Sequence, residues 1–308
     1  DLIATGLPAT PTAAAMAYAR HIEDDQRVLV FDFGGGTLDV TILRSVEGVF
    51  VEEASKGVGR LGGIDIDRAF AETVKRRVPA RSSIDASDLE RAKVMLSTQE
   101  TVTISLVGGG TLELNRIELE TAIQPLLQQC AQPVLRCIND LGSPKIDHLL
   151  LVGGSSKIPA VQRHVSQLVR LDPTGSIDPM TAVAEGAALS AGILNGDIVD
   201  FDFFVATEHA LGTIITDPLT ERQNFSVLIP RNTKLPASAT DGYTPVVDNQ
   251  EAVTIKVIEG DPEHPVDHED NVVLKEWDVD ITPPRPVSEA GFTVTYSYDV
   301  EFEIESYL

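Results

Sequence analysis

Asp32 sits inside an apolar run, Val28-Leu-Val-Phe-Asp-Phe33, and three consecutive glycines, Gly34 to Gly36, follow it, with Thr37 next. This order of residue types suits chemistry on an anion. Consecutive glycines leave backbone N–H groups with no Cβ in front of them, and a concavity of such donors takes phosphate. The Thr37 hydroxyl adds a further polar group. A carboxylate at a strand end, as Asp32 is, can hold a divalent cation through its water shell. A tight glycine hairpin with a capping Asp would use the same residues. No Lys follows the glycines, so the spacing does not fit a Walker A loop.

These residues need strands and helices to hold them. Val28 to Phe33 reads as a buried strand, and Leu38 to Leu43 and Val49 to Ala54 as its successors. Pro11 followed by alanines predicts a helix start. Helices are predicted over about Ile66 to Arg77 and Asp88 to Ser97, with a loop from Pro79 to Ser87. Thr101 to Leu106 and Thr111 to Leu114 form a hairpin about Gly108 to Gly110. Asn115-Arg-Ile-Glu118 is a capping box opening a helix to about Leu141, with Pro125 and Pro133 expected to kink or segment it. Its apolar stripe is Ile117, Ala122, Leu126, Leu127, Cys130, Val134, Cys137 and Ile138. His148 to Val152 is a further buried strand, turned by Gly153-Gly-Ser-Ser-Lys-Ile-Pro159 into a helix. Asp178 caps another. Beyond Ala206 the pattern turns to β, with strands at Leu211–Ile215, Phe225–Ile229, Val253–Ile258, Val272–Trp277 and Phe292–Tyr298, which predicts a sandwich.

Several strings carry a family likeness. Asp32-Phe-Gly-Gly-Gly-Thr-Leu-Asp39 resembles the second phosphate loop of the actin-like ATPases, most closely of the seventy-kilodalton heat-shock chaperones (DnaK type). Leu61-Gly-Gly-Ile-Asp65 is similar to the next nucleotide-facing turn of that family. Glu90-Arg-Ala-Lys-Val-Met-Leu-Ser97 is similar to its adenosine-binding helix, although without the family a solvated polar face with an internal salt pair fits as well. Val152-Gly-Gly-Ser-Ser-Lys-Ile-Pro159 and Ile177-Asp-Pro-Met-Thr-Ala-Val-Ala-Glu-Gly-Ala-Ala188 match two more segments. Leu228 to Pro236 and Asp248 to Gly260 are near-verbatim family strings from its client-binding β-domain.

The resemblance implies an α/β actin-like ATPase-domain lobe followed by an all-β sandwich domain. Residues 1–195 would be a partial nucleotide-binding domain, mainly its second lobe. Residues 196–206 would be a linker, and 207–308 a β-sandwich substrate-binding domain without its helical lid. It implies ATP or ADP with Mg2+, Asp32 holding the metal via water, and Thr37 beside it in the catalytic set. Gly34, Gly35, Gly36, Gly63, Glu90, Lys93, Ser97, Gly153, Gly154, Ser155 and Lys157 would bind nucleotide. Phe225, Tyr243, Val246, Val253 and Ile255 would line an apolar groove for an extended client, though each also suits an ordinary core position. Partners implied are unfolded polypeptides, a J-domain co-chaperone and a nucleotide-exchange factor. The short Pro79 to Ser87 segment alters the docking surface of the last. Phe201, Phe203 and Phe204 would dock the linker.

The sequence departs from the family pattern at Thr10, Val94, Lys157 and Met180, where a Glu, an Arg, an Arg and an Asp are usual. These departures motivate a second reading, a relative that binds nucleotide or peptide without cycling. An actin-like sugar or acid kinase is a third, opposed by the β-rich second half. The first phosphate loop and catalytic Lys of the family have no counterpart here. The expectation is a fragment that begins mid-protein and does not turn over ATP alone.

Bulk properties set the outer limits. The chain has 308 residues, 43% of them hydrophobic, and a net charge of −23. A chain this acidic lacks the basic face that nucleic-acid binding needs. No apolar run approaches a membrane span and no secretory leader is legible, so a cytoplasmic protein is expected, and the family resemblance implies a role in stress response and protein folding. Cys130 and Cys137 lie about 10 Å apart along one helix face, beyond disulfide reach, and read as buried free thiols. His264, Asp267, His268, Glu269 and Asp270 read as a solvated acidic loop, with no strand scaffold or Cys to make them a metal site.

Overall fold

The computed structural model describes residues 9–199, 203–207, 209–217, 219–220, 222–298 and 306–307. Two compact units divide the chain, one spanning Thr10–Ala187 and one built from Ala188 onward. Among the described residues, no helix is long and apolar enough to cross a membrane.

The first unit is built on a four-stranded sheet ordered β3-β2-β1-β6. Its strands are β1 (Arg27–Phe33), β2 (Leu38–Val46), β3 (Val49–Val58) and, at the other edge, the strand His148–Val152. A β-hairpin, β4 (Thr101–Ser105) with β5 (Thr111–Asn115), lies between these in sequence, so the edge strand is β6. β1 runs antiparallel to β2 and parallel to β6. Alternation along β1 gives each face its role. Leu29, Phe31 and Phe33 enter the large core with Leu38, Val40 and Ile42. Val28, Val30 and Asp32 share the opposite face, and Asp32 alone of the three is half-exposed. Each fully buried Phe contributes about 2–3 kcal/mol by removal of apolar surface from water.

Helices cover both faces. α1 (Thr10–Tyr18) buries Ala13, Ala14, Ala15 and Met16. α2 (Gly63–Lys75), α3 (Ala86–Leu96), α4 (Arg116–Ala122) and α5 (Gln124–Asp140) supply much of the large core. α6 (Pro159–Val169) follows β6, and α7 (Ala182–Leu194) begins within this unit and continues past its end at Ala187. The capping box forms as the sequence predicts: Glu118 N donates to Asn115 Oδ1 at 2.9 Å and Asn115 N to Glu118 Oε2 at 3.0 Å. Pro125 does segment the helix, since α4 stops at Ala122 and Pro125 sits in the first turn of α5. Pro133 stays inside α5. The break resets the helical phase, so Ile117 leaves the predicted stripe and is 75% exposed, while Leu119 and Ile123 are buried in its place.

Cys130 and Cys137 are buried and free. Burial pushes their thiols up to about 12 and about 11. The Cys137 thiol donates to Val40 O at 3.3 Å. Only a thiolate attacks a disulfide reagent. At pH 8 the native chain should therefore leave both thiols unlabelled by an aromatic disulfide reagent, and denaturant should release both. Rapid labelling without denaturant would contradict the packing described.

The second unit holds two sheets. One is ordered β11-β10-β7-β8 and the other β13-β12-β9. Their strands are β7 (Ala210–Thr216), β8 (Gln223–Ile229), β9 (Ala237–Tyr243), β10 (Ala252–Gly260), β11 (Val272–Asp280), β12 (Phe292–Tyr298) and β13 (Ser306–Tyr307). A single apolar cluster joins them, with Leu211, Ile229, Ile255 and Val257 from the first and Val294 and Tyr296 from the second. Tyr296 Oη donates to Gly212 O at 3.0 Å across this core. Before β7 the chain lies against residues 232–235 of the same unit. Phe203 and Val205 are buried there. Leu235 N donates to Val205 O at 2.8 Å, and Lys234 Nζ sits 2.8 Å above the Phe204 ring. Phe201, named with them for linker docking, lies outside the described residues.

Candidate functional site

The end of β1 delivers Asp32 and Phe33 into the triple-glycine bend. Gly34 N donates to Thr37 O at 3.1 Å, which closes the turn. The carbonyls of the bend are taken up by the turn ahead of α2: Gly63 N donates to Gly34 O at 3.0 Å, Ile64 N to Gly35 O at 2.9 Å and Leu61 N to Gly36 O at 3.1 Å. Ser155 Oγ also donates to Gly34 O, at 2.8 Å. With its carbonyl side used, the bend presents its amide side outward. Among the described residues, the amides of Gly35, Gly36 and Thr37 meet no protein acceptor. All three residues are exposed, and a Cβ built on Gly35 or Gly36 would touch nothing. Outward-facing amides of this kind form an anion-binding concavity.

Two glycines outside the bend make the approach possible. A Cβ on Gly62 would lie 2.5 Å from Gly35 C, Gly35 O and Gly36 N. A Cβ on Gly153 would lie 2.5 Å from Phe33 O and 2.9 Å from Asp32 Oδ1, and Gly153 also takes φ +82°, a left-handed conformation that favours glycine. The Gly153–Ser155 corner thus closes on the back of the bend and of Asp32. Gly62 was not among the residues the sequence singled out. The signal was the doublet Gly62-Gly63, of which only the second was chosen. The Gly62 amide in turn donates to Asp65 Oδ2 at 3.0 Å, holding the start of α2 in place.

Asp32 faces Asp39 in the β1–β2 register. Burial first, and the Asp39 charge second, raise the Asp32 carboxyl above its ordinary value. Like charges placed opposite each other on two strands oppose folding. A divalent cation near them would relieve that repulsion. The linkage sign follows from the raised folded value. Asp32 favours folding below the unfolded carboxylate value of about 3.9, and that contribution is lost as pH rises through its higher folded value. Asp32→Asn should therefore raise the melting temperature at pH 7 by about 1–3 °C and leave it unchanged near pH 3.5. A drop at pH 7 in a melting experiment would show that the carboxylate stabilises the fold instead.

Lys93 is 9% exposed, and its Nζ lies 2.8 Å from Asp67 Oδ1 and 2.9 Å from Oδ2, bonding the latter. It comes within 3.6 Å of where a Cβ on Gly63 would stand, and Ser155 Oγ within 3.0 Å. Lys93, Ser155, Gly63 and the bend therefore converge. Asp67 was not read from the sequence, since its partner lies 26 residues away on another helix. Glu90 is exposed on the same helix, and Ser97 Oγ turns back to Lys93 O at 3.4 Å. Lys157 pairs with Asp178 at 3.0 Å, and Met180 Sδ stands 3.1 Å from where a Cβ on Gly154 would be.

In the second unit, Tyr243, Val246, Val253 and Ile255 line one open cavity of about 560 Å3, with Phe292 and Val294. Phe225 does not line it. Its ring lies against Gly212, where a Cβ would come within 2.8 Å of it. Tyr243 Oη and Ser226 Oγ are 3.1 Å apart, fixing the ring at the cavity wall.

A family model described as Hsp70 protein matches residues 8–303. Among curated relatives, the chain is 36% identical to "Chaperone protein DnaK" of Elusimicrobium minutum, with 94% of this chain and 49% of that protein covered. It is 37% identical to a protein of the same name from Thermus thermophilus, over 94% of this chain and 50% of that one. For the protein of that name from Nitrosopumilus maritimus the identity is 33%, over 94% and 48%. The chain spans about half the length of the curated relatives it matches.

Proposed function

The chain belongs to the Hsp70 protein family, and on that premise we propose that it is part of an ATP-dependent chaperone that couples nucleotide to the holding of extended apolar client segments. The observation that carries this reading is the bend itself: three outward amides, Gly35, Gly36 and Thr37, beside a carboxylate whose burial raises it. The residues fit ADP or ATP with Mg2+. Amides suit the phosphates, and Asp32 suits a hydrated metal held through water. When bound, Mg2+ would neutralise phosphate charge. Asp32 would orient that ion's water, the bend would fix the phosphates, and Glu90, Lys93, Ser97, Gly154, Ser155 and Lys157 would flank the adenosine. The second unit would act as a β-sandwich whose cavity at Tyr243, Val246, Val253 and Ile255 takes client side chains, with backbone bonds adding affinity.

Calorimetry on residues 1–308 tests both arms. ADP with Mg2+ should bind saturably, and chelating the metal should weaken it at least about tenfold. A labelled heptapeptide with central leucines should bind as well, more weakly to Val246→Asp. ATP turnover by this chain alone should not exceed that of buffer. A folded chain that shows no saturable ADP binding would remove the nucleotide arm, and one that binds ADP but no peptide would remove the client arm.

A further inference from the structure

The loop between β10 and β11 brings together residues that the sequence places in a solvated acidic stretch. His264 Nδ1 lies 3.2 Å and His268 Nδ1 3.3 Å from the same oxygen, Asp270 Oδ2. The two imidazoles stack with ring centroids 4.1 Å apart. One ligand atom from each of the three residues lies within 4.8 Å of the other two. The strands β10 and β11, which flank the loop, supply its scaffold.

The loop is held by its own hydrogen bonds. Asn271 Oδ1 accepts from Asp261 N at 2.8 Å, and Asn271 Nδ2 donates to Pro265 O at 2.8 Å. His268 N donates to Pro265 O at 2.9 Å, and Asn271 N to His268 O at 3.0 Å. The backbone carrying all three side chains is thus fixed before any ligand arrives, which lowers the ordering cost of binding.

One polar atom of the cluster is left unsatisfied by protein. His264 Nδ1 is shut off from solvent and has no hydrogen-bond partner. His268 Nδ1 accepts a long hydrogen bond from the Asp270 amide at 3.3 Å, a bond that a metal on this nitrogen would displace. Two imidazoles and a carboxylate are thus grouped within one short loop, with the one lone pair that protein engages held only by a long amide bond. A buried nitrogen left unpartnered costs free energy that a cation would recover.

We propose that His264, His268 and Asp270 form a binding site for a divalent transition-metal ion, with Zn2+ the best fit. Two imidazoles and one carboxylate are a ligand set of zinc and its neighbours, and not of Mg2+ or Ca2+. With bonds of about 2.0–2.1 Å, the edge of a zinc tetrahedron is about 3.3 Å. The two nitrogen-to-oxygen edges already have that length. The fourth position faces solvent and would carry water. Glu263, Asp267 and Glu269 surround the loop and raise the local concentration of cations. The site is separate from the nucleotide and client readings and would clip the β10–β11 connection.

The test uses the full 308-residue chain, stripped with a chelator and titrated with Zn2+ by calorimetry, and with Co2+ by visible absorption. One Zn2+ should bind per chain and raise the unfolding midpoint. Co2+ should give the intense absorption of a four-coordinate site. The double variant H264A/H268A should lose that equivalent and the absorption while keeping its melting curve without metal. Glu263→Gln with Asp267→Asn should keep the stoichiometry. Absence of saturable Zn2+ binding overturns the proposal. So does equal binding by the double variant, which would put the metal on other surface carboxylates. Octahedral Co2+ spectra that both histidine changes leave untouched would do the same.

Discussion

Gly186→Ala should lower the melting temperature of the chain by about 5–10 °C, the largest stability loss expected from a single added methyl. A Cβ at Gly186 would stand 1.6 Å from Ala13 O, 2.4 Å from Ala13 C and 3.1 Å from Ala13 Cα. These are backbone atoms of α1, and no rotamer change can move them aside. The two helices would have to separate, which opens the packing of Ala13, Ala14 and Met16, all 1% exposed. Overpacking of this kind costs about 1–3 kcal/mol and more where backbone is the obstacle. Helix propensity acts in the other direction, since Ala in a helix interior is favoured over Gly by about 1 kcal/mol. The two effects have opposite signs, so the measurement decides between them. A calorimetric melt of Gly186→Ala equal to or above the parent would mean that propensity wins and the helices yield freely. Gly35→Ala is the comparison, because its Cβ meets nothing within 4 Å and its melt should move by less than about 1 °C.

What could be read from the sequence follows the range of the forces involved. The strand Arg27–Phe33, the glycine bend, the strand His148–Val152 and the capping box at Asn115 are local patterns, and each forms where its residues predict. β9 was not legible. Ala237-Ser-Ala-Thr-Asp-Gly-Tyr243 has little intrinsic strand preference. It is a strand because β12 pairs with it over its whole length, Phe292 opposite Tyr243 through Tyr298 opposite Ala237. Ser238 with Ser297 and Thr240 with Thr295 add cross-strand side-chain bonds at 3.1 and 2.8 Å. Ile117 was misplaced for a different reason. A single helical period was drawn through a proline that starts a new helix, and phase does not survive such a break. At the site, the glycines were visible by type, but not which backbone each must admit. Gly62 against Gly35 and Lys93 against Asp67 depend on approach between segments that sequence spacing does not encode, whereas His264, His268 and Asp270 are neighbours in sequence whose turn geometry, not their spacing, sets their ligand atoms together.

Gly62→Ala should weaken ADP binding by about 100-fold, equivalent to about 2.7 kcal/mol, while lowering the melting temperature much less than Gly186→Ala does. The added Cβ would meet Gly35 C, Gly35 O and Gly36 N, each at 2.5 Å. Those atoms carry the peptide whose outward amides define the cradle. To make room, the bend must move off the turn, and the bonds from Gly63 N, Ile64 N and Leu61 N to the carbonyls of Gly34, Gly35 and Gly36 lengthen together. The amides of Gly35, Gly36 and Thr37 then lose their common direction. A donor set binds an anion tightly only while it is held in place beforehand, so the loss falls on affinity more than on stability. The bend is exposed, and its displacement opens little of the core. Gly59→Ala, three residues away and with nothing within 4 Å of its Cβ, should bind ADP like the parent. Calorimetric titration of the three chains with ADP and Mg2+ separates the outcomes. Unchanged affinity in Gly62→Ala would show that the phosphates do not rest on these amides, whatever else the cleft holds.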